Sequence, residues 1–304
     1  MAYVAFDVDN TLGYFEIVNP LANFWSLDYI NNPEQSFHSG KARISSRLEK
    51  KLKRARDIFS TELFKHPRLL YTVLRPNIHA MFAPLLKLKR QGKLRTIILY
   101  SNTSVGYSLE LVAALIDKLF HSRGLISYMV DHWHPIRVAD HPEPLVPFRY
   151  NEPSKQYESL EHIFKKATGS RAAVTPSRVL FVDDRRKKHV LQEQEKEGLT
   201  YVVPTPFFIN ASHEQKKKIF DIALQALEDA DVLNDSEYLV SKFCTRDIPY
   251  DYTNVYFVRN FYQLKQFVWS QMVNATVYKG KWQNDTAKLN REFDYYLKKI
   301  EASA

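Results

Sequence analysis

Two carboxylates separated by one residue follow the first apolar run of the chain. Residues 1–6 are apolar and lead into Asp7-Val8-Asp9-Asn10-Thr11-Leu12. Such a run predicts a buried strand, and a parallel strand delivers the residues after it to the carboxyl edge of its sheet. There one carboxylate can attack phosphorus, a second can handle the proton of the leaving group, and a hard cation can offset their charge. The spacing favours phosphoryl transfer, although Asp-x-Asp alone also occurs in solvated turns.

Two later strand patterns end in residues that suit the same chemistry. Residues 95–100 are β-rich and lead into Ser101-Asn102-Thr103-Ser104, where a hydroxyl and backbone amides can hold phosphate oxygens at the start of a helix. Residues 177–182 form a further strand pattern, which ends in the acidic pair Asp183-Asp184. Together these stretches predict a phosphate-binding site and a second carboxylate site.

A lysine lies between these two stretches. Lys155 follows Pro153-Ser154 and precedes the helical pattern of Tyr157, Leu160, Ile163 and Phe164. An ammonium at the start of this helix can neutralise the charge of a bound phosphate.

In this order the motifs resemble the haloacid dehalogenase superfamily, whose signature is Asp-x-Asp-x-Thr, a Ser or Thr after a strand, a Lys, and an acidic pair after a strand. The resemblance extends over roughly residues 3–206. It implies a doubly wound, Rossmann-like α/β phosphatase in which Asp7 is the nucleophile that forms an aspartyl-phosphate. Asp9 is then the general acid and base.

The resemblance also implies the ligands of the cofactor and the substrate. Mg²⁺ is expected on the Asp7 carboxylate, the Asp9 carbonyl and the acidic pair, and we favour Asp184 as the ligand with Asp183 as its support. The residues expected to bind phosphate are Thr11, Ser101, Asn102 and Lys155.

A basic run, Arg185-Arg186-Lys187-Lys188-His189, follows the acidic pair. Most of such a run is expected to be a solvated helix face. Arg185 is closest to the acids and is the candidate for substrate binding.

Two groups within the superfamily are similar to this chain. Leu74-Arg75-Pro76 and the segment from Ser101 to Tyr107 resemble the small C-terminal-domain phosphatases and the related NLI-interacting-factor-like group, which act on phosphorylated protein tails. Asp183-Asp184-Arg185 and the later Gly198-Leu199-Thr200-Tyr201 are similar to the phosphatase module of polynucleotide end-repair enzymes. A phosphoprotein is the favoured substrate, and a nucleic acid or nucleotide is the alternative. A non-catalytic binding or structural protein is the third hypothesis, and the complete set of motifs weighs against it.

Composition restricts the class of protein. The chain has 304 residues, of which 45% are hydrophobic and 13% aromatic, and this argues against extensive disorder. Its single cysteine, Cys244, excludes an internal disulfide and a multi-cysteine zinc site. A net charge of +9 favours an anionic partner. No secretory signal or apolar span is evident, so we expect an intracellular protein, cytoplasmic or nuclear, with no membrane partner.

The chain divides into a predicted core over residues 1–210 and a helical extension over 211–304. A helical cap insertion of about 60 residues, at about 13–71, interrupts the core because it is too long for a simple loop. Apolar residues recur at helical spacing in the insertion and again in the extension. The insertion's repeat is Ile44, Leu48, Leu52, Ala55, Phe59 and Leu63, and the extension's first repeat is Ile219, Ile222, Ala223, Ala226, Leu227 and Ala230. The insertion is also strongly basic. These basic residues either favour a polyanionic substrate or form a solvated helix face, and the sequence leaves both interpretations open.

Overall fold

The computed structural model describes residues 2–25, 44–103, 106–131, 157–185, 192–204, 206–243 and 260–275, together with residues 291, 294, 295 and 298. The helices and strands are, in chain order, β1 (Ala2–Phe6), α1 (Ala22–Trp25), α2 (Ser46–Phe64), α3 (Pro67–Val73), α4 (Ile78–Arg90), β2 (Leu94–Tyr100), α5 (Gly106–Leu119), β3 (Tyr128–Val130), α6 (Tyr157–Thr168), β4 (Val179–Val182), α7 (Gln192–Lys196), β5 (Thr200–Val202), α8 (His213–Asp229), α9 (Ser236–Phe243) and α10 (Phe261–Asn274).

The strands form one five-stranded sheet in the order β3-β2-β1-β4-β5, and each neighbouring pair is parallel. The chain runs from β1 outward to β3 and then returns to the other side of β1. The strand order therefore reverses beside β1, and a reversal of this kind opens a crevice at the carboxyl edge of a parallel sheet.

Helices cover both faces of this sheet. Ala5 and Ile98 belong to a buried cluster that includes Leu160 and Phe164 of α6. On the opposite face, the ring of Phe6 stacks on that of Phe82 from α4, with 4.9 Å between centroids. Burial on both faces explains why β1 and β4 are nearly continuous apolar runs. The predicted doubly wound α/β fold is confirmed, and each predicted strand agrees with an observed one to within two residues.

Two compact units divide the chain. The sheet belongs to the first, which consists of Met1–Phe15, Leu74–Ile209 and Tyr278–Ala304; the second consists of Glu16–Val73 and Asn210–Val277. The predicted boundary at residue 210 remains a prediction. The sequence analysis did not anticipate that the insertion and the segment after Ile209 would form one unit.

The second unit is helical in its described part, and α2 packs on α8. Most of each predicted repeat lies in a helix whose apolar side chains are buried, including Leu52 and Phe59 of α2 and Ala223 and Leu227 of α8. Ile44, the first residue of the predicted repeat in the insertion, precedes α2. Each helix begins where a serine hydroxyl accepts a hydrogen bond from the N–H three residues later. Ser45 accepts from Leu48, and Ser212 accepts from Gln215 in a capping box.

Basic residues of α2 make ion pairs within this unit. Lys51 Nζ lies 2.8 Å from Asp231 and 2.9 Å from Asp235, and Arg47 lies 3.2 Å from Asp235. Lys51 lowers the pKa of both aspartates, and they raise the pKa of Lys51. Part of the predicted basic surface is therefore occupied by contacts inside the unit.

No helix of the described residues is long and apolar enough to span a lipid bilayer. The basic residues at 186–189 lie outside the described residues. The sequence also predicts a second helical repeat in the extension, and its apolar residues lie outside the described residues as well: Leu289, Phe293, Tyr296, Leu297 and Ile300.

Candidate active site

Asp7 and Asp183 are the first residues after two adjacent strands. The N–H of Asp7 donates to the carbonyl of Val182 at 2.8 Å, and the N–H of Asp183 donates to that of Val202 at 3.1 Å. Sheet hydrogen bonding thus continues one residue beyond β1 and β4. It carries both carboxylates to the same edge of the sheet, where both residues are buried.

Three carboxylates converge at this edge. Asp7, Asp183 and Asp184 each offer an oxygen within 4.8 Å of the other two. Like charges so close and so little exposed destabilise one another unless a cation or a proton compensates them. A set composed only of oxygen ligands suits a hard cation such as Mg²⁺. Asp7 and both members of the acidic pair are therefore brought together, whereas Asp9 is not part of the group. The contribution of the Asp9 carbonyl and the choice of Asp184 as the ligand remain predictions.

A tight turn follows Asp7. The N–H of Leu12 donates to the carbonyl of Val8 at 2.9 Å, and the N–H of Asn10 donates to that of Gly13 at 2.8 Å. Asn10 has a φ of 61°, a left-handed conformation that asparagine adopts more readily than most residues. The turn brings Asp9 and Gly13 side by side in an isolated parallel bridge.

Thr11 connects this turn to the acidic pair. Its hydroxyl accepts a hydrogen bond from the N–H of Asp184 at 2.9 Å. The same oxygen lies 3.3 Å from Asp7 Oδ2 and 3.4 Å from Asp184 Oδ1, so its single proton can serve one of the two carboxylates at a time. Thr11 is fully buried. Its predicted role in phosphate binding remains a prediction.

Ser101 lies beside Asp9 at the end of β2. Its N–H donates to the carbonyl of Val130 at 3.0 Å, and its hydroxyl donates to Asp9 Oδ2 at 3.4 Å and accepts from the N–H of Thr103 at 3.2 Å. The second carboxylate of the Asp-x-Asp motif thus faces the predicted phosphate-binding hydroxyl. Asn102 follows it and is half-buried.

Asp131 follows β3 at the same edge of the sheet. A Cβ on Gly106, the first residue of α5, would lie 2.8 Å from Asp131 Oδ2. A side chain at position 106 would therefore require the Asp131 carboxylate to move.

Arg75 is the residue of this region whose place sequence reasoning missed. It is 1% exposed, and it donates from Nε to the carbonyl of Thr11 and from Nη2 to that of Asn10, each at 2.8 Å. Its guanidinium carbon lies 5.5 Å from the ring centroid of Phe207. Burial lowers the pKa of Arg75 to about 10, and the negative charge of Asp184 opposes this shift. The only sequence signal was its Arg-Pro dipeptide, because its partners are main-chain carbonyls far away in the chain.

Arg185 is exposed, and its backbone is held at both ends. Its N–H donates to Asp183 Oδ1 at 2.9 Å, and its carbonyl accepts from the hydroxyl of Tyr201 at 2.7 Å. The ring of Tyr201 stacks in turn on Phe181 of β4, at 5.2 Å between centroids. The predicted substrate-binding arginine therefore starts from an ordered backbone beside the acids. Lys155, the remaining predicted phosphate ligand, lies outside the described residues.

No protein-family model matches the sequence, and no curated protein is significantly similar to it. Solved structures do match, and one of them is the crystal structure of CbbY from Rhodobacter sphaeroides in complex with phosphate. That match is 18% identical, covers 70% of this chain and 90% of the other, and has a TM-score of 0.32. A likeness this low supports no inference about function.

Proposed function

We propose that this protein is a Mg²⁺-dependent phosphomonoester hydrolase of the haloacid dehalogenase type. The observation that carries the proposal is the convergence of Asp7 with Asp183 and Asp184 within 4.8 Å at the carboxyl edge of the parallel sheet. The motif order that resembles the superfamily supports the same conclusion. Mg²⁺ on these oxygens would supply neutralising charge for the acids and for the phosphate.

The proposed reaction has two displacements at phosphorus. A carboxylate oxygen of Asp7 attacks, the bond from phosphorus to the ester oxygen breaks, and the leaving oxygen takes a proton from Asp9. Water then attacks the aspartyl-phosphate and gives a proton to Asp9, and the bond from Asp7 to phosphorus breaks to release inorganic phosphate. Both groups return to their starting states, so no further reactant is needed.

The remaining residues have proposed roles in holding the phosphate. Ser101, Asn102 and Lys155 bind phosphoryl oxygens, and the position of Ser101 beside Asp9 supports this role for its hydroxyl. Arg185 contacts the part of the substrate beyond the phosphate. Its exposure and its anchored backbone are consistent with that task.

We favour a phosphoprotein as substrate because of the motifs around Arg75 and Ser101. A phosphorylated polynucleotide is the second candidate, and one observation favours it. Lys50, Lys53 and Arg54 are exposed on one face of α2, and no carboxylate among the described residues pairs with them. Such a face can bind a phosphate backbone.

The test is a turnover screen with Mg²⁺ on phosphopeptides, 5′- and 3′-phosphorylated oligonucleotides, nucleotides and a small aryl phosphate. The Asp7→Asn protein, purified in the same way, controls for a contaminating phosphatase. We expect Mg²⁺-dependent release of phosphate by the unaltered protein alone, fastest with a phosphopeptide. If no phosphoester is turned over, the hydrolase proposal is wrong and the non-catalytic alternative takes its place. Preference for oligonucleotides would instead support the second candidate.

A further inference from the structure

Arg75 serves three consecutive carbonyls of the turn that follows Asp9. Its backbone N–H donates to the carbonyl of Leu12 at 2.9 Å, and its side chain donates to those of Thr11 and Asn10. The carbonyl of Asn10 accepts a second bond from the N–H of Phe207 at 2.6 Å. Arg75, 64 positions away from Thr11, thus binds the carbonyls of three consecutive residues of the turn.

Burial of the Arg75 guanidinium carries an unfavourable desolvation free energy. Burial of a charge costs several kcal/mol unless hydrogen bonds compensate it, and Arg75 is 1% exposed. The guanidinium is planar, so its N–H donors have a fixed geometry and can orient two neighbouring peptide planes together. A lysine or an apolar side chain has no such rigid pair of donors. The two carbonyls that the Arg75 side chain binds belong to the adjacent residues Asn10 and Thr11.

This turn connects two groups of the candidate site. Asp9 directly precedes Asn10, and its carboxylate faces the hydroxyl of Ser101. Thr11 bears the hydroxyl that bonds to the N–H of Asp184. These two peptide planes lie on either side of Thr11, so their rotation would move the Thr11 hydroxyl away from the N–H of Asp184 and would shift Asp9 through the intervening Asn10.

We infer that Arg75 is a positioning residue, which orients Asp9 and Thr11 for phosphoryl transfer by holding the carbonyls of residues 10–12. The inference rests on the proposed function, because Arg75 acts through groups to which that function gives their roles. It adds a residue with no proposed contact to the substrate.

The test compares Arg75→Met and Arg75→Lys with a matched control, Lys89→Met. Lys89 also donates to main-chain carbonyls, those of Gly124 and Leu125 at 3.1 and 2.8 Å, and to the hydroxyl of Ser127 at 3.1 Å. Ser127 precedes β3, so this contact lies at the amino edge of the same sheet, opposite the acids. The measurements are thermal unfolding, amide hydrogen exchange of residues 8–13, and kcat and KM for a small aryl phosphate at saturating Mg²⁺.

We expect both Met variants to unfold at a lower temperature than the unaltered protein. Only Arg75→Met should speed the amide exchange of residues 8–13 and lower kcat by about 100-fold, the loss typical of a small misplacement of catalytic groups. KM should change by less than about threefold, because Arg75 binds no substrate. Arg75→Lys keeps the charge without the planar guanidinium and should recover only part of kcat.

A folded Arg75→Met protein with kcat within about twofold of the unaltered value would overturn the inference. An equal loss of kcat in Lys89→Met would overturn it too, since general destabilisation would then explain the effect. If Arg75→Met does not fold, Arg75→Lys decides by the same measurements. Should the unaltered protein hydrolyse no phosphoester, the proposed function fails, and the amide exchange still decides whether Arg75 holds the turn.

Discussion

The hydroxyl of Thr11 accepts a hydrogen bond from the backbone N–H of Asp184 at 2.9 Å, across 173 positions of the chain. The bond joins the turn after β1 to the acidic pair after β4. Asp7, which directly precedes this turn, and the acidic pair make up the group of three carboxylates. The contact therefore connects the proposed nucleophile to the proposed cation ligands through a single buried side chain.

Replacement of Thr11 tests this connection. Thr11→Val keeps the shape but leaves the N–H of Asp184 without its acceptor, and an unsatisfied buried donor costs about 1–3 kcal/mol in the free energy of unfolding. We expect weaker Mg²⁺ binding by calorimetric titration and a lower kcat. Thr11→Ser keeps the hydroxyl and should stay close to the unaltered protein. Equal Mg²⁺ affinity in the Val and Ser variants would show that the bond is dispensable.

Replacement of Asp7 tests the nucleophile. Asp7→Asn is nearly isosteric, but an amide is a poor nucleophile, so turnover should fall to background while thermal unfolding still shows a folded protein. Asp221→Asn removes an exposed carboxylate of α8 and should leave kcat unchanged. Near-normal Mg²⁺-dependent turnover by folded Asp7→Asn would rule out an aspartyl-phosphate on this residue.

Replacement of the acidic pair tests the cation site. Both Asp183→Asn and Asp184→Asn should raise the Mg²⁺ concentration needed for half-maximal activity, and chelation should abolish activity in the unaltered protein. We expect the larger effect from Asp184→Asn if that residue is the ligand, since Asp183 already accepts the N–H of Arg185. A larger effect from Asp183→Asn would reverse the assignment, and activity that resists chelation would exclude a required cation.

The ion pairs of the helical unit predict a dependence of stability on pH. Lys51 holds the pKa of Asp235 below its ordinary value of 3.8, so the pair stabilises the fold above about pH 4 and this contribution is lost as the pH falls through the lowered pKa. Asp235 also accepts the N–H of Glu237 at the start of α9, a cap that asparagine can replace. Asp235→Asn should therefore be less stable than the unaltered protein at pH 7, by urea unfolding, and the difference should shrink below about pH 4. A difference that does not depend on pH would show that the charge is unimportant.

The exposed face of α2 tests the choice of substrate. If the substrate is a polynucleotide, replacement of Lys50, Lys53 and Arg54 by Gln should raise KM for a phosphorylated oligonucleotide and flatten its dependence on salt, because fewer counterions are released on binding. Turnover of a small aryl phosphate should not change. The control replaces three scattered exposed arginines, Arg90, Arg123 and Arg171, which removes the same charge without a shared face. An equal rise in KM for the oligonucleotide in both triple variants would exclude a specific role of the α2 face in binding it. An unchanged KM in both would favour the phosphoprotein.

Much of the sheet could be predicted from the sequence, because a strand buried on both faces must be apolar along its whole length. Residues 3–6 and Val179–Val182 satisfy this requirement, and the structure confirms both as strands. Acids directly after such strands have to lie at the carboxyl edge, so the meeting of Asp7 with Asp183 and Asp184 followed from local pattern and topology. The helical repeats of α2 and α8 were predictable for the same kind of reason, since each helix buries one stripe.

Other features depended on the tertiary structure, because they join residues that are distant in sequence through groups that every residue carries. Arg75 donates to backbone carbonyls, and Thr11 accepts from a backbone N–H. Every residue type carries a backbone carbonyl, and all except proline carry an N–H, so the sequence does not indicate these partners. Lys51 and its neighbour Lys50 look alike in the sequence, yet only Lys51 reaches Asp231 and Asp235. The sequence by itself determined which residues are chemically able to act, since ionisable groups and apolar periodicity are local properties. The tertiary structure decided which of them are held in place, since hydrogen bonds and ion pairs depend on distances that only the folded chain creates.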